Sequence, residues 1–203
     1  RTFGLRCTPG SSEEKHCGGH ALTSVEVHSA HLPHTRSGPV TIWVSPRGVR
    51  RIEFGQLPRG DRTDPPEERS VFLSYAVQQL EEYFGKNRTV FELELDFPDS
   101  TTQFQQDVYD RLLNIEYGHV VSYGQVARDI GQPDMARVVG QAVGANPIPI
   151  VVPCHRVIAS DGSLTGFAGG IHTKAALLKL EGIDVDGAKS SSKVHPEVIP
   201  LDL

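Results

Sequence analysis

Between Asn146 and Arg156 the chain reads Asn-Pro-Ile-Pro-Ile-Val-Val-Pro-Cys-His-Arg, an apolar run crossed by three prolines. Proline fixes φ and has no amide hydrogen for a sheet ladder, so Pro147, Pro149 and Pro153 exclude an ordinary central strand here. The run predicts a short, buried, strand-like wall that presents the residue behind it, Cys154. A histidine and an arginine follow directly. Positive charge beside a thiol lowers its pKa and creates a nucleophile, so His155 and Arg156 mark Cys154 as the expected seat of chemistry. The competing reading is a cysteine packed as a small hydrophobe.

Downstream, Ser160-Asp-Gly-Ser163 is a tight-turn signal, and Gly166-Phe-Ala-Gly-Gly170 is a loop whose backbone could approach a ligand closely or simply connect. A helix is predicted next, with Thr173 as N-cap, Ala175, Ala176, Leu177, Leu178 and Leu180 as its body, and Gly182 at C′. Glu181 closes it against the macrodipole, which calls for a partner, and His155 is the candidate.

Upstream, Ser122 to Ile130 places Val126 and Ile130 on one helical face, and Gly131-Gln-Pro133 breaks the pattern. Asp134 is expected to cap a second helix over about 135–145, giving a helix-turn-helix. That second helix is small and smooth: Ala136, Val138, Val139, Gly140, Ala142, Val143 and Gly144, with Arg137 as its one charge and Gln141 beside it. A major-groove reader would carry several base-reading side chains, whereas a smooth helix suits the minor groove. A helix buried on all sides has the same composition.

Ser122-Tyr123, Ala136-Arg-Val-Val-Gly140, Asn146-Pro-Ile-Pro149, Val152-Pro-Cys-His-Arg-Val157, Gly166 to Gly170 and Leu177 to Gly182 stand in the order and spacing of O6-alkylguanine-DNA alkyltransferases, and residues 98–184 strongly resemble that family. The resemblance implies double-stranded DNA carrying O6-alkylguanine, and O4-alkylthymine in some members, as substrate. It also implies an extruded nucleotide, since the alkylated atom is unreachable in the stack. Cys154 would accept the alkyl group irreversibly, once per molecule. His155, oriented by Glu181, would take the thiol proton through a water; Tyr123 would donate toward the guanine; and Asn146 would tie the hinge. Arg137 would fill the vacated stack, with Tyr123, Ala136, Val138, Gly140 and Gln141 against the minor groove. Pro149, Val157, Phe167, Ala168, Gly169 and Lys174 would surround the base, the carbonyls of Cys154 and Val157 accepting from its amine and the Ala168 amide donating to O6. Phe167, Ala168 and Val138 stand where relatives often carry tyrosine, serine and alanine. No cofactor is implied. The zinc ligands of some relatives do not recur, as Pro46 and Arg50 lie near the equivalent strands.

A net charge of -5 offers no broad electrostatic footprint for DNA, and residues 98–184 carry six basic against nine acidic side chains. Three cysteines and no secretory stretch point to a reducing intracellular compartment, the nucleus in a eukaryote or the cytoplasm in a prokaryote. No apolar run approaches the roughly 20 residues of a membrane span.

Residues 1–37 are expected to be a mobile extension, in which Cys7, His16, Cys17 and His20 match no common zinc spacing. Residues 38–97 predict an α/β structural domain: strands over 40–44 and 49–54, a helix over 71–84 ended by Gly85, and a strand alternating at Phe91, Leu93 and Leu95. The family analogue is ribonuclease H-like. Thr102 with Gln105 is a capping box opening a mainly helical domain over 98–184, of winged-helix/helix-turn-helix type by the resemblance. Residues 185–203 are expected to be a loose tail. A monomer is expected, with cooperative binding on DNA left open. The rival classes are a noncatalytic alkylated-DNA-binding protein, a helix-turn-helix regulator, and a cysteine hydrolase. For a hydrolase, neighbouring Cys154 and His155 on an extended chain would point apart.

Overall fold

A computed structural model describes residues 27–57, 63–65, 69–187 and 192–194. The first layer is an antiparallel sheet in the order β1 (His28–Leu32), β2 (Val40–Ser45), β3 (Gly48–Phe54). Val40, Ile42 and Val44 of β2 are buried with Ala30, Val49 and Ile52. α1 (Val71–Phe84) packs on β1 and β2 through Leu73, Ala76, Val77 and Leu80. The Ser70 hydroxyl accepts from the Leu73 amide at its N-terminus, a cap of about 1 kcal/mol. The left-handed residue past this helix is Lys86 (φ 64), not Gly85.

β1 lies inside the expected extension. Its alternating apolar pattern is only Ala30 and Leu32, and pairing along β2 supplies the rest. The candidate zinc residues and 1–26 lie outside the described residues. The expected strand at 91–95 is instead an extended segment touching β3 by one parallel bridge, Val49 to Leu95. Gln79 explains why: its side chain holds the Glu92 backbone on both sides, at 2.8 and 3.1 Å, in place of a ladder. At Gly48 (φ +146) a Cβ would meet the Glu94 carbonyl oxygen at 2.4 Å, so the approach of this segment requires glycine.

α2 (Gln103–Leu113) begins with the Thr102/Gln105 capping box. β4 (Val121–Ser122) runs into α3 (Tyr123–Asp129), where the Ser122 hydroxyl accepts from the Gln125 amide. A 3-10 turn, Pro133–Met135, leads into α4 (Ala136–Gly144). Asp134 is therefore not its cap: it sits inside the 3-10 turn, and α4 starts after Met135 with no side-chain cap. β5 (Val157–Ile158) pairs parallel with β4. α5 (Gly170–Leu180) starts after Gly169, one turn earlier than expected, so Thr173 lies within it and its hydroxyl donates back to the Gly169 carbonyl. Gly182 (φ 87) ends α5, with Ile183 N donating to Leu178 O and Gly182 N to Lys179 O, a Schellman closure.

One contiguous apolar cluster runs from Ala30 of β1 to Leu180 of α5 and joins both halves. A second cluster under α5 includes Val120, Ile158, Leu178 and Val194. Residues 192–194, expected in a loose tail, are pinned there: Leu164 N donates to Ser192 O and Val194 N to Gly162 O. Among the described residues no helix is long and apolar enough to cross a membrane.

Candidate active site

The prolines between Asn146 and Cys154 build a turn, not a strand. Asn146 holds it, its Nδ2 donating to Val152 O (2.9 Å) and its Oδ1 accepting from Ile148 N (3.0 Å). Ile150 at its apex is left-handed (φ 77), a conformation that disfavours a β-branched side chain by about 1–2 kcal/mol and survives only where its surroundings over-determine it. Here the Val152 amide donating to Ile148 O and a buried Ile150 side chain do so.

Cys154–Arg156 form a 3-10 turn, not the extended chain expected, and all three side chains are buried. His155 Nε2 lies 2.8 Å from Glu181 Oε1, so the partner inferred for that helix-end carboxylate is present. Arg156 joins them with a fork, Nε to Oε2 (2.8 Å) and Nη2 to Oε1 (2.9 Å), and its Nη1 donates to Ile115 O (2.5 Å). The Tyr83 hydroxyl donates to Oε1 (2.7 Å) and the Gly118 amide to Oε2 (3.3 Å). Burial opposes the charge on Glu181, but His155 and Arg156 outweigh it and hold the carboxyl well below its usual range. The unfavourable dipole, about 0.3–1 kcal/mol, is small beside these charge-assisted bonds at about 1.5–3 kcal/mol each.

With an ionised carboxylate accepting at Nε2, that nitrogen carries the proton, and Nδ1 is left with a lone pair; this tautomer is assigned from the network. Nδ1 is the one buried side-chain nitrogen or oxygen among the described residues with no hydrogen-bond partner. Burial, against the pull of Glu181, lowers the histidine pKa, so the ring is neutral at pH 7.

The thiol departs from expectation. Cys154 is 4 % exposed, and burial pushes its pKa up to about 11. Arg156 does not lower it, because the 3-10 turn turns the guanidinium onto Glu181 and over the Tyr117 ring. The opposing influences are the Asn146 hydrogen bond, the Lys174 charge and the amides of Cys154 and His155. Lys174 is itself fully buried, donating to Val157 O (2.6 Å) and Thr165 O (3.2 Å), so it clamps β5 to the 166–170 loop and does not line an open pocket. Burial brings its pKa down to about 8.

A cleft of about 1080 Å³ is lined by Tyr123, Ala136, Arg137, Gly140, Phe167 and Ala168, and of these Tyr123 lies close enough to Cys154 to feel its charge. The Thr165 hydroxyl donates to the Tyr123 hydroxyl oxygen (3.0 Å), leaving the phenolic proton free to donate. α4 is amphipathic, not buried all round: Val139, Ala142 and Val143 face the core, while Arg137, Val138 and Gln141 are exposed. An alanine Cβ at Gly140 would clear Tyr123 by 3.7 Å, so packing does not require glycine there. Pro149, Asn146 and Ala168 also line a smaller cavity of about 570 Å³ against Phe54 and Trp43 of the sheet. Val157 is buried and Gly169 half-buried against Phe54. Sequence reasoning missed Tyr83, Tyr117, Thr165 and Phe54; none carries a local signal, since each acts across long separations. Among the described residues no group of His, Cys, Asp and Glu side chains could hold a metal.

These features define a class: a small sheet-plus-helix fold in which a turn-borne thiol and a carboxylate-oriented histidine are buried on one turn, beside a separate cleft walled by a small exposed helix. Residues 103–183 match the family described as 6-O-methylguanine DNA methyltransferase, DNA binding domain. The methylated-DNA–protein-cysteine methyltransferase of Mycobacterium tuberculosis is 55% identical over 109 residues, 54% of this chain and 65% of that one, so the match spans a little under two thirds of that relative. The Methanosarcina acetivorans protein of the same name is 39% identical over 148 residues, 71% of this chain and 92% of its own. The crystal structure of Mycobacterium tuberculosis OGT in complex with DNA superposes with a TM-score of 0.66 at 43% identity, covering 76% of this chain and 92% of that one. The chain belongs to the methylated-DNA–protein-cysteine methyltransferase family.

Proposed function

We propose that this protein repairs DNA by direct reversal, moving an alkyl group from guanine O6 in duplex DNA to Cys154 once per molecule. The carrying observation is the His155 ring, fixed at Nε2 by Glu181 and bearing a free lone pair at Nδ1 on the same turn as the only cysteine among the described residues. The thiol proton passes through a water to Nδ1, sulfur attacks the alkyl carbon in line, and the carbon–O6 bond breaks. The departing guanine anion is met by the Tyr123 hydroxyl. A thioether results that water does not cleave.

The exposed, smooth face of α4 supports docking in the minor groove, with the base rotated into the cleft and Arg137 in its place. Asn146 keeps the thiol's turn aligned, and Pro149, Phe167 and Ala168 flank the base. Lys174, placed around the base by resemblance, acts instead by holding the loop. We read residues 27–97, β1 included, as a reduced ribonuclease H-like structural unit and 98–184 as a winged-helix acceptor unit, working as a monomer in an intracellular compartment. Intact mass after incubation with an O6-methylguanine duplex tests the proposal. One methyl on Cys154 without turnover supports it; binding without a mass gain identifies a noncatalytic reader, and repeated turnover a hydrolase.

Arg137→Ala should slow repair of duplex DNA at least tenfold while leaving reaction with the free base O6-benzylguanine within about twofold, since extrusion costs a few kcal/mol only in duplex. Equal losses on both substrates would defeat that assignment. Because the His155 pKa lies below its ordinary 6.5, the base form persists at neutral pH. On the acid side the transfer rate should fall with an apparent pKa below about 6.5 in a pH–rate series; an acid limb centred above that value contradicts a neutral His155.

A further inference from the structure

β3 of the N-terminal sheet touches both the Asn146 turn and the 166–170 loop. The Ile52 amide donates to Pro147 O (2.9 Å), on the Asn146 turn that carries Cys154. Two residues on, the Phe54 ring lies 5.4 Å from the Phe167 ring, centroid to centroid, on the 166–170 loop. Gly169 seats against the same ring: a Cβ there would lie 2.6 Å from Phe54 Cδ2 and 2.8 Å from Cγ. Gly169 has φ -80 and ψ 4, a conformation any residue adopts, so backbone geometry does not demand glycine at this position. Closeness to Phe54 does.

We propose that Phe54 is a positioning residue for alkyl transfer, setting the distance between the 166–170 loop and the Asn146 turn, and that Gly169 is glycine in order to admit its ring. This deepens the functional reading above and rests on it. The N-terminal sheet then has a task beyond scaffolding. It braces the loop that flanks the base from outside the acceptor half, through a ring that also lines the cavity of about 570 Å³ between Pro149, Ala168 and β3. The ring–glycine contact is rigid because Gly169 O is also held by the Thr173 hydroxyl (2.7 Å) and Thr165 O by Lys174, so the loop cannot recede freely at either end.

The test is a double-mutant cycle in the full chain with Phe54→Ala, Gly169→Ala and the pair. Each is measured by the saturable kinetics of Cys154 alkylation with O6-benzylguanine and by thermal midpoint. Misplacement of a binding wall by about 1 Å costs up to about a hundredfold, so Gly169→Ala should lose at least about tenfold in second-order rate. The loss should fall on half-saturation and not on the limiting rate constant, because the thiol, His155 and Glu181 are untouched. Phe54→Ala should also lose rate, and adding Gly169→Ala to it should cost clearly less than Gly169→Ala costs alone, as the nearer ring is gone and only the Phe167 edge, 3.2 Å from the new Cβ, remains. Phe54→Leu, which keeps an apolar contact, should relieve Gly169→Ala in part and guards against misfolding of the alanine variant. A Gly169→Ala loss of equal size with and without Phe54, or a Phe54→Ala protein of wild-type rate, overturns the proposal. A wild-type protein that takes up no alkyl group overturns both readings at once, whereas an active wild type with uncoupled variants overturns only this one.

Discussion

Glu181→Gln is expected to destabilise the protein by about 3–5 kcal/mol, since it leaves a buried guanidinium without its counter-charge. The carboxylate accepts from Tyr83, His155, Arg156 and the Gly118 amide, and it is 5 % exposed. Glutamine keeps the shape but turns one acceptor into a donor facing Arg156 Nε. For a chain of this length that is a drop in melting temperature on the order of ten degrees. Tyr83→Phe, which removes one of several donors to the carboxylate and leaves every charge paired, should cost less, about 1.5–3 kcal/mol. Chemical denaturation of the two variants measures the contrast, and a Glu181→Gln loss no larger than that of Tyr83→Phe would show that the cluster does not hold the fold. The pH dependence runs the same way. Below 4.5 the unfolded chain protonates Glu181 before the folded one does, and below 6.5 it protonates His155 first. Stability contributed by both groups is therefore present at neutral pH and lost as pH falls through those windows.

Cys154→Ser should abolish alkyl uptake altogether while leaving the fold and DNA binding intact. The hydroxyl fits the same buried site, so thermal stability should move by little more than about 1 kcal/mol. A hydroxyl is a far weaker nucleophile than a thiolate, and nothing around it supplies the missing ionisation. Even the thiol begins at a pKa of about 11, which makes proton removal at the moment of attack the step the surroundings must assist. Mass spectrometry on a duplex carrying O6-methylguanine decides the matter: methyl retained by the serine variant would exclude Cys154 as acceptor.

The candidate site was largely legible because its pieces are local. Thr102 and Gly182 are capping signals read within a few residues, and the structure places both in the capping role expected, whereas the Ser122 cap appears only in the structure. The Asn-Pro and Pro-Cys-His-Arg segments marked the acceptor, and an acid at a helix C-terminus pointed across 26 positions to His155. Asp134 and Thr173 failed as caps because a 3-10 turn and an early helix start, both set by packing, moved the helix ends past them. β1 escaped notice because a short edge strand takes its order from its neighbour more than from its own pattern.

Sequence alone determined which residues could do chemistry here: a thiol behind a proline-stiffened apolar run, a histidine with a carboxylate partner, and a smooth helix carrying one arginine. Tertiary structure decided their electrical state and their supports. Adjacency in the chain assigned Arg156 to the thiol, but the turn aims it at Glu181, so the cysteine is held protonated and the histidine neutral. Tyr83 reaches Glu181 from 98 residues away, and Phe54 meets Gly169 across the two halves. Such contacts leave no periodicity or motif, because they depend on how whole elements pack, and charge states follow from burial that only packing creates.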